Sequence, residues 1–431
     1  MPQRLLSSDP NFETRFRALL AAKREASVDV ETAVRAIIAD VRARGDDALI
    51  ELTARFDELT LTPETLRVPE EEIEAALAAT PRQTREALEL AHRRIESHHI
   101  RQMPKDDRYT DAIGAELGSR WTAVESVGLY VPGGAASYPS SVLMNAVPAK
   151  VAGVERIAMV VPAMRGALNP LVLAAARIAG VSEIYRVGGA QAVAALAFGT
   201  DTIPPVAKIV GPGNAYVASA KRQVFGTVGI DMIAGPSEVL VIADGANDPD
   251  WLAADLLAQA EHDRAAQSIL LTDSEALADA VEAAVERQLQ TLSRSDTARA
   301  SWAEFGAVIV VEDLLRDAPP LADRIAAEHL EIATDDPDAL FACIRNAGAV
   351  FLGRHTPEVI GDYVGGSNHV LPTARSARFS SGLSVLDFVK RTSILKLSAE
   401  ALRELGPAAI ELARVEGLDA HGRSVAIRLN L

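Results

Sequence analysis

The sequence predicts an α/β protein of two related units, each a parallel sheet covered by helices, with helical segments at both ends of the chain. Three observations carry that expectation. Apolar residues near the N-terminus recur at three- and four-residue spacing, as in "VETAVRAIIADVRARG". From Trp121 onward short apolar runs alternate with helical patterns, and the alternation runs through two cycles. Gly-rich turns follow several of the apolar runs, at strand ends, where open sheets place ligands.

Taken in order, the N-terminal region reads as helices, with Pro69 and Pro81 punctuating "EEEIEAALAATPRQTREALELAHRRIE". The first cycle begins with strand "AVESVGLYVPGG", helix "SSVLMNAVPAKVAGV", strand "RIAMVVPA" and helix "NPLVLAAARIAGV". It continues through strand "EIYRVGG", helix "AQAVAALAFG", strand "AKIVGPG" and helix "NAYVASAKRQVFG". The second cycle comprises strand "EVLVIAD", helix "DPDWLAADLLAQAEHDRAAQ", strand "SILLTD", helix "SEALADAVEAAVERQLQTL", strand "FGAVIVVED", helix "LADRIAAEHLEI" and strand "GAVFLG". Strictly alternating elements of this kind predict parallel pairing. The end, "SAEALRELGPAAIELARVEGLDAHGRSVAIRL", returns to helical spacing and suits a tail that packs on another subunit.

A chain of 431 residues, 48% hydrophobic and 24% charged, is large enough for two or more folded units. Its formal charge of −16 argues against nucleic-acid and anionic-membrane partners, which repel a net anion. A single cysteine, Cys343, excludes an internal disulfide framework and a thiolate zinc site; its apolar neighbours suggest a small core residue. The N-terminus "MPQRLLSSDPNFETRF" lacks the apolar run of a secretory signal, and no window approaches the length of a membrane span. The expected location is the cytoplasm.

Among residues that could carry chemistry, "YVPGG" (Tyr130 to Gly134), "VGGAQ" (Val187 to Gln191) and "GPGN" (Gly211 to Asn214) all fall in the first unit. None is G-x-G-x-x-G, and each alone reads as a turn that needs Gly, but their clustering makes this unit the nucleotide candidate. In "AQAEHDR" the helical pattern puts Gln259 and His262 on one face, with Glu261 and Asp263 elsewhere. A metal would need further N or O ligands. Asp362, His369 and His421 are candidates without a spacing signature, so pattern alone favours a structural, hydrogen-bonded role for the pair over a metal. In "AAEHLE", Glu328 and His329 can share a cavity only at a helix end or in a loop, where the imidazole could serve as a general base. Ser237 precedes a buried strand, either as part of a Gly-Pro-Ser turn or as a hydroxyl at the sheet's ligand edge.

These segments, in this order, resemble the histidinol dehydrogenase family. The resemblance rests on "GLYVPGG", "VGGAQAVAALAFGT", "KIVGPGNAYV", "GIDMIAGPSEVLVIAD", "DLLAQAEHD", "EHLEI", "GDYVGGSNHVLPT", "FSSGLSV" and "EGLDAHGRS", and runs nearly end to end. It implies two incomplete Rossmann-like units with parallel sheets, plus helical N-terminal and C-terminal segments. The implied division is 1–25 as the helical N-terminal segment, 26–129 with 240–381 as the zinc and substrate side, 130–239 as the NAD side, and 382–431 as a tail given to the other subunit of a homodimer.

The implied activity is the four-electron oxidation of L-histidinol to L-histidine with NAD and Zn2+. Carried over by position, zinc would be held by Gln259, His262, Asp362 and, from the partner subunit, His421. Glu328 and His329 would be catalytic. Substrate would meet Ser237, His369 and the partner's Glu416, together with the zinc ligands and His329, and the cofactor would meet Tyr130, Gln191 and Asn214. Ala327 departs from the pattern, since proline commonly precedes the catalytic Glu. A sister branch of the family oxidises other small amino or sulfonated alcohols; Ser237, His369 and Glu416 together favour histidinol. A zinc hydrolase or a non-catalytic assembly protein would leave the three Gly turns of the first unit unexplained.

Overall fold

The computed structural model describes residues 2–22, 28–133, 138–233 and 235–431. Along the chain, β1 (Gln3–Leu6) is followed, after a series of helices, by β2 (Asp107–Thr110) and β3 (Glu116–Ala123). Then come β4 (Ser126–Tyr130), β5 (Arg156–Val160), β6 (Glu183–Tyr185), β7 (Lys208–Val210) and β8 (Gly229–Ile230). The second cycle supplies β9 (Glu238–Ala243), β10 (Gln267–Thr272), β11 (Ala307–Val310), β12 (His329–Ala333) and β13 (Ala349–Leu352), and β14 (Val389–Lys396) comes last.

Two parallel sheets result, with the same plan. The five-stranded sheet has the order β6-β5-β4-β7-β8, so the chain steps outward from β4 on one side and then returns to its other side. The six-stranded sheet, β1-β11-β10-β9-β12-β13, repeats this path outward from β9 and back. Each sheet therefore has a topological switch point, between β4 and β7 and between β9 and β12.

Both sheets are covered on both faces, which is why their strands read as continuous apolar runs. In β9, Leu240 and Ile242 pack with β12 and helix Leu314–Ile325, while Val239, Val241 and Ala243 face helices Pro249–Ala260 and Glu275–Gln288. In the five-stranded sheet Val127, Leu129 and Met159 face helices Pro139–Val151 and Pro170–Ile178, and Ala158, Val160 and Ile209 face helices Val28–Arg44 and Gly189–Phe198.

Several expectations need correction. The N-terminal segment contains a strand, β1, which pairs parallel with β11 and extends the six-stranded sheet. The helices of 26–129 pack largely on the first unit, while Arg82–Ile100 also reaches the second, where Arg94 donates to the Val364 and Gly365 carbonyls. Val28–Arg44 packs on Gly189–Phe198, Glu70–Ala79 on Pro170–Ile178, and Arg82–Ile100 on Pro139–Val151, all over the five-stranded sheet. A third, antiparallel sheet, β14-β3-β2, went unforeseen because its residues are largely exposed and carry no apolar alternation. Cys343 is exposed, not a core residue. Helices Ala399–Val415 and Asp419–Ala426 pack chiefly on each other and leave Leu412 and Val415, with Ile427 just beyond them, exposed. Among the described residues no helix is long and apolar enough to cross a membrane.

Candidate active site

The two sheets present opposite edges to chemistry. At the carboxyl edge of the five-stranded sheet, Tyr130 is the last residue of β4, Gln191 lies in the first turn of helix Gly189–Phe198 after β6, and Asn214 caps helix Ala215–Val224 after β7. Tyr130 is 4% exposed, its hydroxyl accepts the Gly189 N–H at 3.0 Å, and burial pushes its pKa up to about 12. Gln191 is buried and Asn214 exposed, with its Oδ1 accepting the N–H groups of Tyr216 and Val217. Gly211 needs to be glycine: its φ is +113°, and a Cβ would stand 2.2 Å from the Tyr130 carbonyl oxygen. Gly134 of "YVPGG" lies outside the described residues. Helix N-termini that open here offer N–H groups and a partial positive charge, which suit a phosphate-bearing ligand.

In the second unit the candidate residues gather at the amino edge of the sheet, where the switch-point rule does not look for a ligand. Ser237, half-buried, comes just before β9, and its carbonyl accepts the Gln267 N–H at the start of β10. Glu328 and His329 are not in a helix. The helix ends at Ile325, Ala326 turns the chain with φ 47°, and His329 opens β12, paired with Val239.

Both catalytic candidates are 5% exposed. Glu328 Oε2 accepts the Glu238 N–H at 2.9 Å, and His329 Nδ1 lies 3.1 Å from the Glu238 carbonyl oxygen. The same Nδ1 is 3.7 Å from Glu358 and 3.8 Å from Glu328, whereas Nε2 faces Asp362 at 3.6 Å and has no hydrogen-bond partner. Burial raises the Glu328 pKa to about 7, against the pull of His329. Burial alone would lower His329, but Glu328, Glu358 and Asp362 outweigh it and raise its pKa well above the usual value. For Asp362 burial is likewise overcome, here by His329, and its carboxyl is lowered.

Gln259 lies in the last turn of helix Pro249–Ala260, 1% exposed, and its Oε1 has no hydrogen-bond partner. His262 falls beyond the helix, in the turn where its N–H donates to the Gln259 carbonyl at 3.2 Å, so a helix end brings the pair together and not a continuous helical face. Asp362 lies in the last turn of helix Glu358–Tyr363. His369 Nδ1 meets the Asp362 carbonyl at 3.0 Å and its Nε2 meets Ser141 Oγ of the first unit at 3.3 Å. The charges of His262, Asp362, His329 and His369 act on one another, so these four share one site. Beside His262 opens a cavity of about 480 Å³ lined by Tyr138, Leu143, Glu261, Arg294 and Tyr363.

Glu416 and His421 are exposed on the C-terminal helical pair, and no hydrogen bond or ion pair ties their side chains to the cluster among the described residues. Sequence reasoning missed Glu358 and passed over Glu331 and Asp255. Glu358 is 1% exposed, and burial raises its pKa to about 8; its N–H donates to Glu331 at 2.6 Å. Burial raises Asp255 to about 6, and burial with the Asp255 charge raises Glu331 well above its usual value. Of the three, only Glu331 leaves a trace in sequence, as an acid inside an otherwise apolar strand run.

A family model described as histidinol dehydrogenase matches residues 20–429. The histidinol dehydrogenase of Agrobacterium fabrum is 76% identical over 420 residues, 97% of each chain, and that of Brucella abortus (strain 2308) is 72% identical over 427 residues, 99% of each. The crystal structure of histidinol dehydrogenase from Elizabethkingia anophelis superposes with a TM-score of 0.95 at 35% identity, covering 100% of this chain and 98% of that one. The chain belongs to the histidinol dehydrogenase family.

Proposed function

We propose that this protein oxidises L-histidinol to L-histidine through histidinal, the last step of histidine biosynthesis, with two NAD+ per turnover. The observation that carries the chemistry is the pair Glu328 and His329, buried side by side with their backbone-facing atoms already held by Glu238. Removing a hydride from an alcohol carbon requires the hydroxyl proton to leave, so a base must lie within reach. His329 offers Nε2 as that base in its neutral form, while the Glu238 carbonyl orients Nδ1, and the carboxylates that raise its pKa stabilise the imidazolium formed when it takes the proton. Oxidation of the aldehyde then needs a water molecule added to it. A carboxyl whose pKa burial brings near neutrality can take the proton of that water, and Glu328 is assigned this role. Tyr130, Gln191 and Asn214, at the carboxyl edge, would hold the NAD+ that supplies the hydride acceptor for each half-reaction.

The donor set fits zinc. Gln259 Oε1 is a buried acceptor with no partner, a costly arrangement that a cation would relieve, and Asp362 and His262 interact across the same site. Among the described residues no three His, Cys, Asp or Glu side chains converge on a metal position. The proposed set is one amide, Gln259, one imidazole, His262, and one carboxylate, Asp362, from each chain, completed by His421 of the partner subunit. Zinc so held would bind the imidazole and amino nitrogens of the substrate, a preference of borderline metals for nitrogen. The partner's Glu416 would meet the substrate ammonium, with Ser237 and His369 as further contacts. Within this reading 130–239 forms most of the NAD side and 240–381 most of the zinc side, the residues 382–431 serve the other subunit of a homodimer, and the enzyme works in the cytoplasm.

Two measurements test the proposal. Zinc-loaded protein mixed with histidinol and NAD+ gives two reduced nicotinamides per histidinol by absorbance; a signal only with another amino or sulfonated alcohol selects the sister branch instead. Mixing inactive Glu328→Ala and His421→Ala dimers under exchange recovers activity through hybrids that contain one intact site. No recovery, with exchange verified, refutes the shared site.

A further inference from the structure

The Gly211–Asn214 turn is held by two charged side chains that the reaction does not use. Gly211 follows β7, and its positive φ presses it against the end of β4, where Tyr130 lies. Its N–H donates to Asp231 Oδ2 at 2.8 Å, and its carbonyl accepts from Lys221 Nζ at 3.0 Å. Lys221 stands in the helix that Asn214 caps, and Asp231 follows β8. The two side chains, 3% and 1% exposed, also pair with each other. An ion pair is expensive to bury, and here its hydrogen bonds are spent on one loop residue that lacks strand or helix partners.

We propose that Lys221 and Asp231 are a positioning pair for the cofactor: they fix both polar groups of Gly211, and through it the register of Asn214 against Tyr130. The proposal rests on the assignment of NAD to this edge. The pair touches no reacting atom and lies on the opposite unit from His329 and Gln259, so it acts on cofactor affinity and not on substrate or metal.

The double substitution Lys221→Met with Asp231→Asn removes both charges, keeps the volume and leaves an amide acceptor for the Gly211 N–H. Zinc-loaded dimer carrying it is titrated with NADH by fluorescence, with Asn214→Ala alongside. The expected result is NADH affinity and KM for NAD+ worsened roughly tenfold, the scale of a misplaced binding group, with KM for histidinol within about twofold of wild type. Weakened NADH binding in Asn214→Ala but wild-type binding in the double variant overturns the proposal while leaving the cofactor edge intact. Wild-type binding in both overturns the cofactor assignment and the proposal with it. Equal losses for NAD+ and histidinol mark the pair as merely structural and overturn its positioning role. Should the double variant not fold, Asp231→Glu retains both charges but displaces the Gly211 N–H; the same selective loss is expected, and unchanged NADH affinity overturns the proposal.

Discussion

The two parallel sheets share one strand plan and put it to opposite uses. The five-stranded sheet offers its carboxyl edge, where helices Gly189–Phe198 and Ala215–Val224 begin. The six-stranded sheet offers its amino edge, where Gln259 and Asp362 lie in the last turns of helices Pro249–Ala260 and Glu358–Tyr363. Helix N-termini carry partial positive charge and free N–H groups; C-termini carry partial negative charge and free carbonyls. One topology thus supplies an edge suited to an anion and an edge suited to a cation, depending on which end of the helices faces the cleft, as the proposed NAD and zinc assignments require. The edges also differ in material. The carboxyl edge is built of glycine turns held by a few buried side chains, Lys221 and Asp231 among them, so added atoms harm it as well as lost ones; the amino edge is built of buried ionisable side chains, where lost atoms do the harm.

The largest effect expected at the amino edge is catalytic. His329→Ala should lower the rate of both half-reactions by roughly a hundred- to ten-thousandfold, the usual contribution of a general base. Glu328→Gln should spare histidinol oxidation and slow histidinal oxidation, measured as separate single turnovers. Equal losses on the two substrates would break the division of labour between the neighbouring residues.

Next in size is the pH dependence of stability, which separates the edges because the carboxyls that burial raises most, Glu328, Glu331 and Glu358, lie on one of them. Glu358, raised by burial to about 8 from 4.5, binds its proton more tightly in the folded chain. Its favourable contribution is complete below the unfolded pKa and is lost as pH rises through the folded one. Metal-free protein should therefore lose stability between about pH 4.5 and 8, by a few kcal/mol, when followed by urea denaturation. Glu358→Gln, neutral throughout, should flatten much of that slope. An unchanged slope would move the titrating charge to another residue.

Legibility in the sequence divided along the same line. The strands of both units and the three Gly turns could be read because full burial writes continuous apolar runs, and close backbone approach writes glycine. The position of Glu328 and His329 could not. The apolar spacing of "LADRIAAEHLEI" continues smoothly past the true helix end, and alanine at 326 gives no hint of a left-handed turn. Glu358 was silent because its burial comes from packing its helix against β12 and helix Pro249–Ala260, a non-local event. The metal residues were visible only as polar side chains of suitable type; the helix ends that gather Gln259, His262 and Asp362 belong to the fold.

The smallest effect is also the most diagnostic of the amino edge. Gln259 Oε1 is buried without a partner at the end of a helix, among carbonyls that already make the surroundings negative. In the metal-free chain this acceptor costs about 1–3 kcal/mol. Gln259→Leu replaces the amide with an apolar group of similar volume, so metal-free protein should gain roughly 1–2 kcal/mol in stability. Added zinc should do the reverse, stabilising the wild type and the variant unequally, with the variant gaining less because one donor is gone. Thermal midpoints with chelator and with zinc therefore change order between the two proteins. A variant less stable than wild type with chelator would mean that Gln259 serves packing, and equal gains from zinc in the two proteins would mean that the unpaired oxygen has no cation to meet.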